Sequence, residues 1–308
     1  MITYYQRTDT GKGLSELEHA TAGCWVRSER PTDEDTTVLH ELGIDPDVLT
    51  DALDPHEIPR IDHDDGWTYF ITRVPDVGDN FNDYTTPIMF ALSKEQTVTV
   101  SRDPLGRLWQ PFVDQTETST HHQAQLFISM VEVILQSYQK RVAIINRQMR
   151  AVTSNVQQLR PNDISVIVEY ERKLNDYLDA LIPTNTALEK TINPRFKLLR
   201  LDDEDQDMVE DLSVDIEQVI ARCKSLLRTI TNVRDSYRAV MDTKLNETMR
   251  VLTVVTLSLT IPTMISGIFG MNVELPINTH SIIVFWIVVV VSFVAAVGVS
   301  AYFLIRKR

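Results

Sequence analysis

The sequence predicts an α+β membrane protein with an N-terminal cytosolic α/β domain, a long helical stalk and two C-terminal transmembrane helices. Three observations lead there. Val251–Asn272 carries no charge, and Ser281–Ile305 is dominated by Ile, Val, Phe and Ala. Each reaches the roughly 20 residues that a spanning helix needs. Short runs of β-branched and aromatic residues, separated by turn formers, fill the first 120 residues. From Leu212 a helical pattern continues without a proline until Pro262.

The composition fits that division. The 308 residues leave room for a soluble domain beside the membrane part, and the formal charge of −13 argues against nucleic acid and against anionic headgroups as partners. It suits a soluble part that attracts cations. Cys24 and Cys223 are the two cysteines, far apart in sequence, which points to a reducing compartment and away from a disulfide framework or zinc cluster. The first residues, MITYYQRTDTGKG, lack the apolar core of a signal peptide, so the two spans themselves are expected to direct the chain to the membrane.

Residues 1–120 read as the α/β domain. Thr3–Tyr5, Cys24–Val26, Trp67–Val74, Pro87–Leu92 and Thr97–Ser101 are the strand candidates, with turns at Asp64-Asp65-Gly66 and Ser93-Lys94-Glu95. Thr32–Asp35 opens a helix through Leu42, and Asp45-Pro46 opens another through Leu53. The order of elements is too irregular for a doubly wound sheet. Asp51–Asp65 is dense in His and carboxylates, and His56, Glu57, Asp62, His63 and Asp64 are candidate ligands of a metal hydrolase. The plainer reading is a solvated connection between helix and strand, because no pair has the fixed spacing of a known metal motif.

Residues 121–200 read as an antiparallel helical region. Leu126, Met130, Val133, Ile134, Ser137, Val142 and Ile145 keep helical spacing, Arg160–Asp163 breaks the run, and Ile164–Leu181 resumes it. Pro183 and Pro194 then punctuate the stretch up to residue 200. Residues 201–250 form the cytosolic part of the stalk helix. Its start, Leu201–Glu217, holds Asp202, Asp203, Glu204, Asp205, Asp207, Glu210, Asp211, Asp215 and Glu217 with no basic residue. Such a run is either a solvated helix start or a low-affinity divalent site, since hard cations choose oxygen ligands. A continuous helix from Leu212 to Gly270 would extend about 85–90 Å at 1.5 Å per residue.

The first span, 251–272, has two faces. Asn246, Met249, Thr253, Thr256, Thr260, Thr263, Gly267 and Gly270 succeed one another at steps of three and four, which places them on one side of a helix. That stripe either lets membrane helices approach closely, each hydroxyl bonding its own backbone, or lines a water-filled path. One such helix cannot enclose a path, so the second reading requires a cyclic homo-oligomer. Residues 273–280 form a short extracellular loop. The second span, 281–305, lacks a polar stripe and is expected to face lipid, with Trp286 and Tyr302 as interface anchors. Arg250 and the terminal Arg306-Lys307-Arg308 place both termini in the cytosol.

Gly270-Met271-Asn272, set between two C-terminal spans of an acidic chain, resembles the signature of the CorA family of magnesium transporters. The likeness continues through Asn246-Glu247, Met249–Thr253, Pro262-Thr263 and Gly267–Phe269, and more faintly over most of the chain. The resemblance implies a homopentameric funnel in the plasma or inner cell membrane, a multi-pass ion channel and not an enzyme. It moves Mg²⁺, with Co²⁺ and Ni²⁺ as further candidates. Gly270, Met271 and Asn272 would form the selectivity filter, and the stripe, with Leu252, would line the pore. Mg²⁺ would also act as a regulatory ligand between subunits. The matching positions are Asp51, in Leu49-Thr50-Asp51, and Asp211, in Val209–Leu212. Thr50 replaces the family's acidic residue, and the Asp-His that usually comes after Asp211 is missing. Three alternatives stand beside this reading: a Zn²⁺ transporter of the sister branch, a membrane-anchored metal hydrolase and a non-conducting scaffold.

Overall fold

The computed structural model describes residues 1–7, 13–75, 85–153, 159–193, 199, 201–271 and 282–305. The expected extracellular loop, Asn272 and the three terminal basic residues lie outside the described residues. The chain forms two compact units, Met1–Val233 and Arg234–Arg308.

In the first unit seven strands make one mixed sheet: β1 (Ile2–Arg7), β2 (Leu14–Leu17), β3 (Trp25–Glu29), β4 (Arg60–Asp64), β5 (Trp67–Pro75), β6 (Thr85–Leu92) and β7 (Thr97–Ser101). Their order is β2-β1-β3-β7-β6-β5-β4. Among these strands only β3 and β7 run parallel; the other neighbours are antiparallel. Two helices lie between β3 and β4. Helix α1 (Asp33–Glu41) is started by a capping box of Thr32 and Asp35, and α2 (Pro46–Ala52) by the Asp45 carboxylate and a proline in its first turn. Both starts are those expected from sequence.

The connection expected between α2 and β5 is in part a strand. Arg60–Asp64 pairs with Trp67–Ile71 as a sheet edge, and the hairpin turns through Asp65 and Gly66, whose φ values are 44° and 83°. Two positive φ values in a two-residue turn match the twist of the flanking strands. The strand was hard to read because only Ile61 in RIDHD is buried. Strand β2 and helix α3 (Gly106–Gln115) were also unforeseen.

The sheet is covered on both faces. Val26, Tyr69, Ile71, Met89, Val98 and Val100 pack with Leu39 of α1 and Leu49 of α2. The opposite face presents Trp25, Phe70 and Phe90 to α3, α4 (Gln123–Thr153), α5 (Pro161–Ile192) and the first part of α6 (Asp203–Phe269). Phe127 of α4 meets Phe70 and Phe90 edge-on at centroid distances of 5.0 and 5.4 Å. Because the strands are buried on both faces, β5, β6 and β7 read as nearly continuous apolar or threonine runs.

Pro183 does less than expected and lies inside α5, whereas α6 runs from Asp203 to Phe269 through Pro262, in keeping with the continuous helix expected to Gly270. Helix α6 therefore starts nine residues before Leu212 and ends three residues short of the 272 expected for the first span. In its first part Val209, Leu212, Ile216 and Val219 are buried against the core, while Asp207, Asp211 and Asp215 face outward. The second unit contains the rest of α6 and α7 (Ile282–Ile305). Both helices are long and apolar enough to cross a membrane.

Candidate functional site

Helix α7 packs on one side of α6. Val254 is buried and Ser258, Ile261, Pro262, Ile265 and Phe269 are half-buried. The hydroxyls of Ser258 and Ser300 meet at 2.5 Å, and the Arg250 guanidinium donates to the carbonyl of Phe303, also at 2.5 Å. Phe303 is in the last turn of α7, where carbonyls lack partners within the helix, so Arg250 acts as a cap supplied by another helix.

The polar stripe lies on the other side. Successive residues turn by about 100° around a helix. Thr253, Thr256, Thr260, Thr263 and Gly267 therefore point roughly opposite to Val254, Ser258 and Ile265. All five stripe positions, with Asn246, Met249, Leu252 and Gly270, are exposed in the single chain. The four threonine hydroxyls donate at 2.8 Å to the carbonyls of Met249, Leu252, Thr256 and Leu259, each four residues back. The hydroxyl protons are thereby committed to the backbone, and the oxygens present lone pairs outward. A row of acceptors suits something that donates hydrogen bonds, such as the waters around a cation.

The stripe ends where the helix does. Gly270 donates to Ser266 at 2.9 Å and Met271 to Ile268 at 3.3 Å, closing the last turn. A side chain at Gly270 would begin 3.3 Å from the Ser266 carbonyl, a tight approach. The end of a helix carries partial negative charge on its unpaired carbonyls, which favours cations. Asn272 itself lies outside the described residues.

The two aspartates expected to regulate occupy different parts of the first unit. Asp51, in the last turn of α2, is half exposed and accepts from Arg60 at 2.8 Å. Arg60 opens β4 and also reaches Asp62 at 2.5 Å and Glu57. Partial burial pulls the Arg60 pKa down, but hydrogen bonds to Asp62 and Asp51 reverse this and leave it above the ordinary arginine value. Arg60 is thus the hub of a carboxylate cluster, a role its sequence position did not reveal. Asp211 is exposed on α6. Within one chain the two aspartates are not gathered into a metal site: the described residues contain no group of three or more His, Cys, Asp or Glu able to hold an ion.

The same finding corrects the hydrolase ligand set. Asp62 and Asp64 alternate with His63 along β4, so neighbouring side chains point to opposite faces. His63 bonds the Thr68 hydroxyl at 3.0 Å, and Glu57 and Asp62 are engaged by Arg60. His56 and Glu57 line a cleft of about 350 Å³ with Arg73, Asp176 and Asp179. The five proposed ligands do not converge.

Comparison with known proteins agrees with the signature. The family model described as CorA-like Mg2+ transporter protein matches residues 21–308. The cobalt/magnesium transport protein CorA of Methanocaldococcus jannaschii is 24% identical over 261 residues, covering 80% of this chain and 79% of the relative. The complete structure of the CorA magnesium transporter from the same organism superposes with a TM-score of 0.83 at 20% identity, covering 100% of this chain and 98% of the other. The full-length CmaX protein gives a TM-score of 0.71 at 14% identity, covering 97% of each chain. The chain belongs to the CorA-like Mg2+ transporter family.

Proposed function

We propose that the chain is a subunit of a Mg²⁺ channel in the cell membrane, also open to Co²⁺ and Ni²⁺, which lets ions move inward down the membrane potential. Two charges crossing 100 mV gain roughly 4–5 kcal/mol, so no nucleotide is required. The observation that carries this reading is the placement of the acceptor stripe: exposed along its length, on the side of α6 away from α7. Five copies arranged around an axis would turn these stripes inward and leave the α7 helices outside against lipid. Both termini would then lie in the cytosol, with 273–280 outside.

Mg²⁺ holds its waters tightly. The threonine oxygens would accept hydrogen bonds from those waters and would not strip them. At the outer end, Gly270, Met271 and a ring of Asn272 amides would select the hydrated ion. Asn246 would form a second polar ring at the cytosolic end. Met249 and Leu252, more than half exposed in the single chain, would narrow the path and close it by dewetting.

Regulation would come from Mg²⁺ bound between Asp51 of one subunit and Asp211 of the next. Such ions clamp subunits together and favour the closed state only if they bind it better than the open one. An ion bound there would have to draw Asp51 away from Arg60, its partner at 2.8 Å in the single chain.

The test is uptake into proteoliposomes containing a Mg²⁺-sensitive dye, with and without an inside-negative potential. Potential-driven uptake that is lost in Asn272→Ala is expected. Uptake of Zn²⁺ but not Mg²⁺ would move the chain to the zinc-transporting branch. Absence of any flux through intact oligomers would sink the channel reading.

A further inference from the structure

A groove of about 600 Å³ opens between α6 and α7 at the point where charge gives way to apolar sequence. Arg250 and Glu247 line one end, and Val251, Val254, Val255 and Leu259 continue it along α6. We propose that this groove binds one zwitterionic phospholipid, its phosphate on Arg250 and an acyl chain along Val251, Val255 and Leu259. The proposal rests on the membrane placement given above.

Three features select this occupant. The first is the polarity gradient. Arg250 is the last charged residue of α6, and the apolar wall begins at the next position. Val251, Val255 and Leu259 are 53%, 49% and 66% exposed in the single chain, so one end of the groove suits a headgroup and the other a hydrocarbon tail. The volume falls in the roughly 300–1,000 Å³ range of small-molecule sites.

The second is the preset guanidinium. One of its five N–H groups is spent on the Phe303 carbonyl. That bond holds the side chain across the groove, and its remaining donors match phosphate geometry. The third is charge balance. Glu247 lies one turn from Arg250 and lines the same groove, so the two side chains sum to zero formal charge. A phosphate with its own ammonium complements that pair better than a headgroup of net negative charge. Asn246, at the cytosolic end of the stripe, also lines the groove, with Ser258 and Ser300 on its α7 side.

The full-length protein in mild detergent is mixed with phosphatidylethanolamine or with phosphatidylglycerol of the same acyl chains, and bound lipid is counted by native mass spectrometry. Wild type is expected to retain about one phosphatidylethanolamine per chain and to prefer it over phosphatidylglycerol. Arg250→Gln should lower retention about tenfold, as expected for losing one hydrogen bond to a charged group. Val255→Trp, which fills the apolar end and leaves Arg250 in place, should lower it similarly. Glu247→Gln should shift the preference toward phosphatidylglycerol. Equal retention by wild type and both groove variants overturns the proposal, as does a wild-type preference for phosphatidylglycerol. Stable oligomers that take up no lipid also overturn it and assign the groove to a second copy. Recovery of the chain in the aqueous phase without detergent would instead refute the membrane placement itself.

Discussion

The hydroxyls of Ser258 and Ser300 meet 2.5 Å apart across α6 and α7, and this contact sets which face of α6 is turned away from its partner helix. Each hydroxyl also lies against its own backbone, Ser258 at 2.7 Å from the Val254 carbonyl and Ser300 at 3.0 Å from that of Ala296. Removing one therefore strands no buried donor. Ser258→Ala is expected to cost about 0.6 kcal/mol, the mean measured for interhelical hydrogen bonds in membranes, and to leave uptake unchanged. Thr256→Val, on the opposite face, should leave stability nearly unchanged but reduce Mg²⁺ flux. Thermal unfolding in detergent and proteoliposome uptake separate the two effects.

In the proposed regulation, an ion at Asp51 has to compete with Arg60, which pairs with that carboxylate at 2.8 Å. Arg60→Gln should free the carboxylate and lower the internal Mg²⁺ concentration that closes the channel several-fold. Asp51→Asn combined with Asp211→Asn should abolish closure by Mg²⁺. Flux measured against internal Mg²⁺ checks both, and unaltered inhibition in the double variant would remove these aspartates from the sensor.

Trp25 anchors the α/β unit. It is fully buried, stacks near Tyr5 at 5.2 Å, and meets Trp109 and Phe112 edge-on at 5.7 and 6.1 Å. Its indole donates to the Thr99 hydroxyl at 2.9 Å. Trp25→Ala should cost about 3–5 kcal/mol by leaving a cavity. Thr99→Val keeps the packing but strands the indole N–H, at about 1–3 kcal/mol. Denaturant unfolding of the full chain measures both.

How much of this was legible depends on where the information lies. The caps at Thr32 and Asp45 are local chemistry and could be read directly. Strands β5, β6 and β7 are continuous because both of their faces are buried. Strand β4 was not legible, since an edge strand with one inward residue, Ile61, has no period to detect. Pro183 does not end α5, because packing sustains a helix across one missing N–H. The stripe on α6 was visible as spacing alone, but its position opposite α7 depends on Val254 and Ser258, whose contacts lie more than forty residues away. The Arg60 cluster exists only once β4 folds back beside α2.

Asp205 gives a pH signature outside the membrane part. It is 5% exposed, shares a reciprocal cap with Asp202, and has one carboxylate oxygen buried without a partner. Burial pushes its pKa up, the Asp202 amide pulls it down, and the Asp202 charge raises it again, with His122 lowering it and Glu204 raising it. The net value lies above the ordinary 3.8. The folded state therefore holds the proton more tightly than the unfolded chain. The stabilisation is full below about pH 3.8 and is lost as pH rises through the raised value. Asp205→Asn should lose that dependence, so its stability relative to wild type should grow as pH rises from about 4 toward neutrality. Parallel stability curves would rule out this role.

The threonine face of α6 is proposed to line a water path. Single cysteines at Thr253, Thr256, Thr260, Thr263 and Gly267 are compared with cysteines at Val254, Ser258 and Ile265, using a membrane-impermeant thiol reagent during Mg²⁺ uptake. The natural Cys24 and Cys223 are fully buried and should stay silent. Block at the first set and not at the second is the expected result. Block that ignores this face, or that falls on the α7 side, would show that the threonines do not line the path.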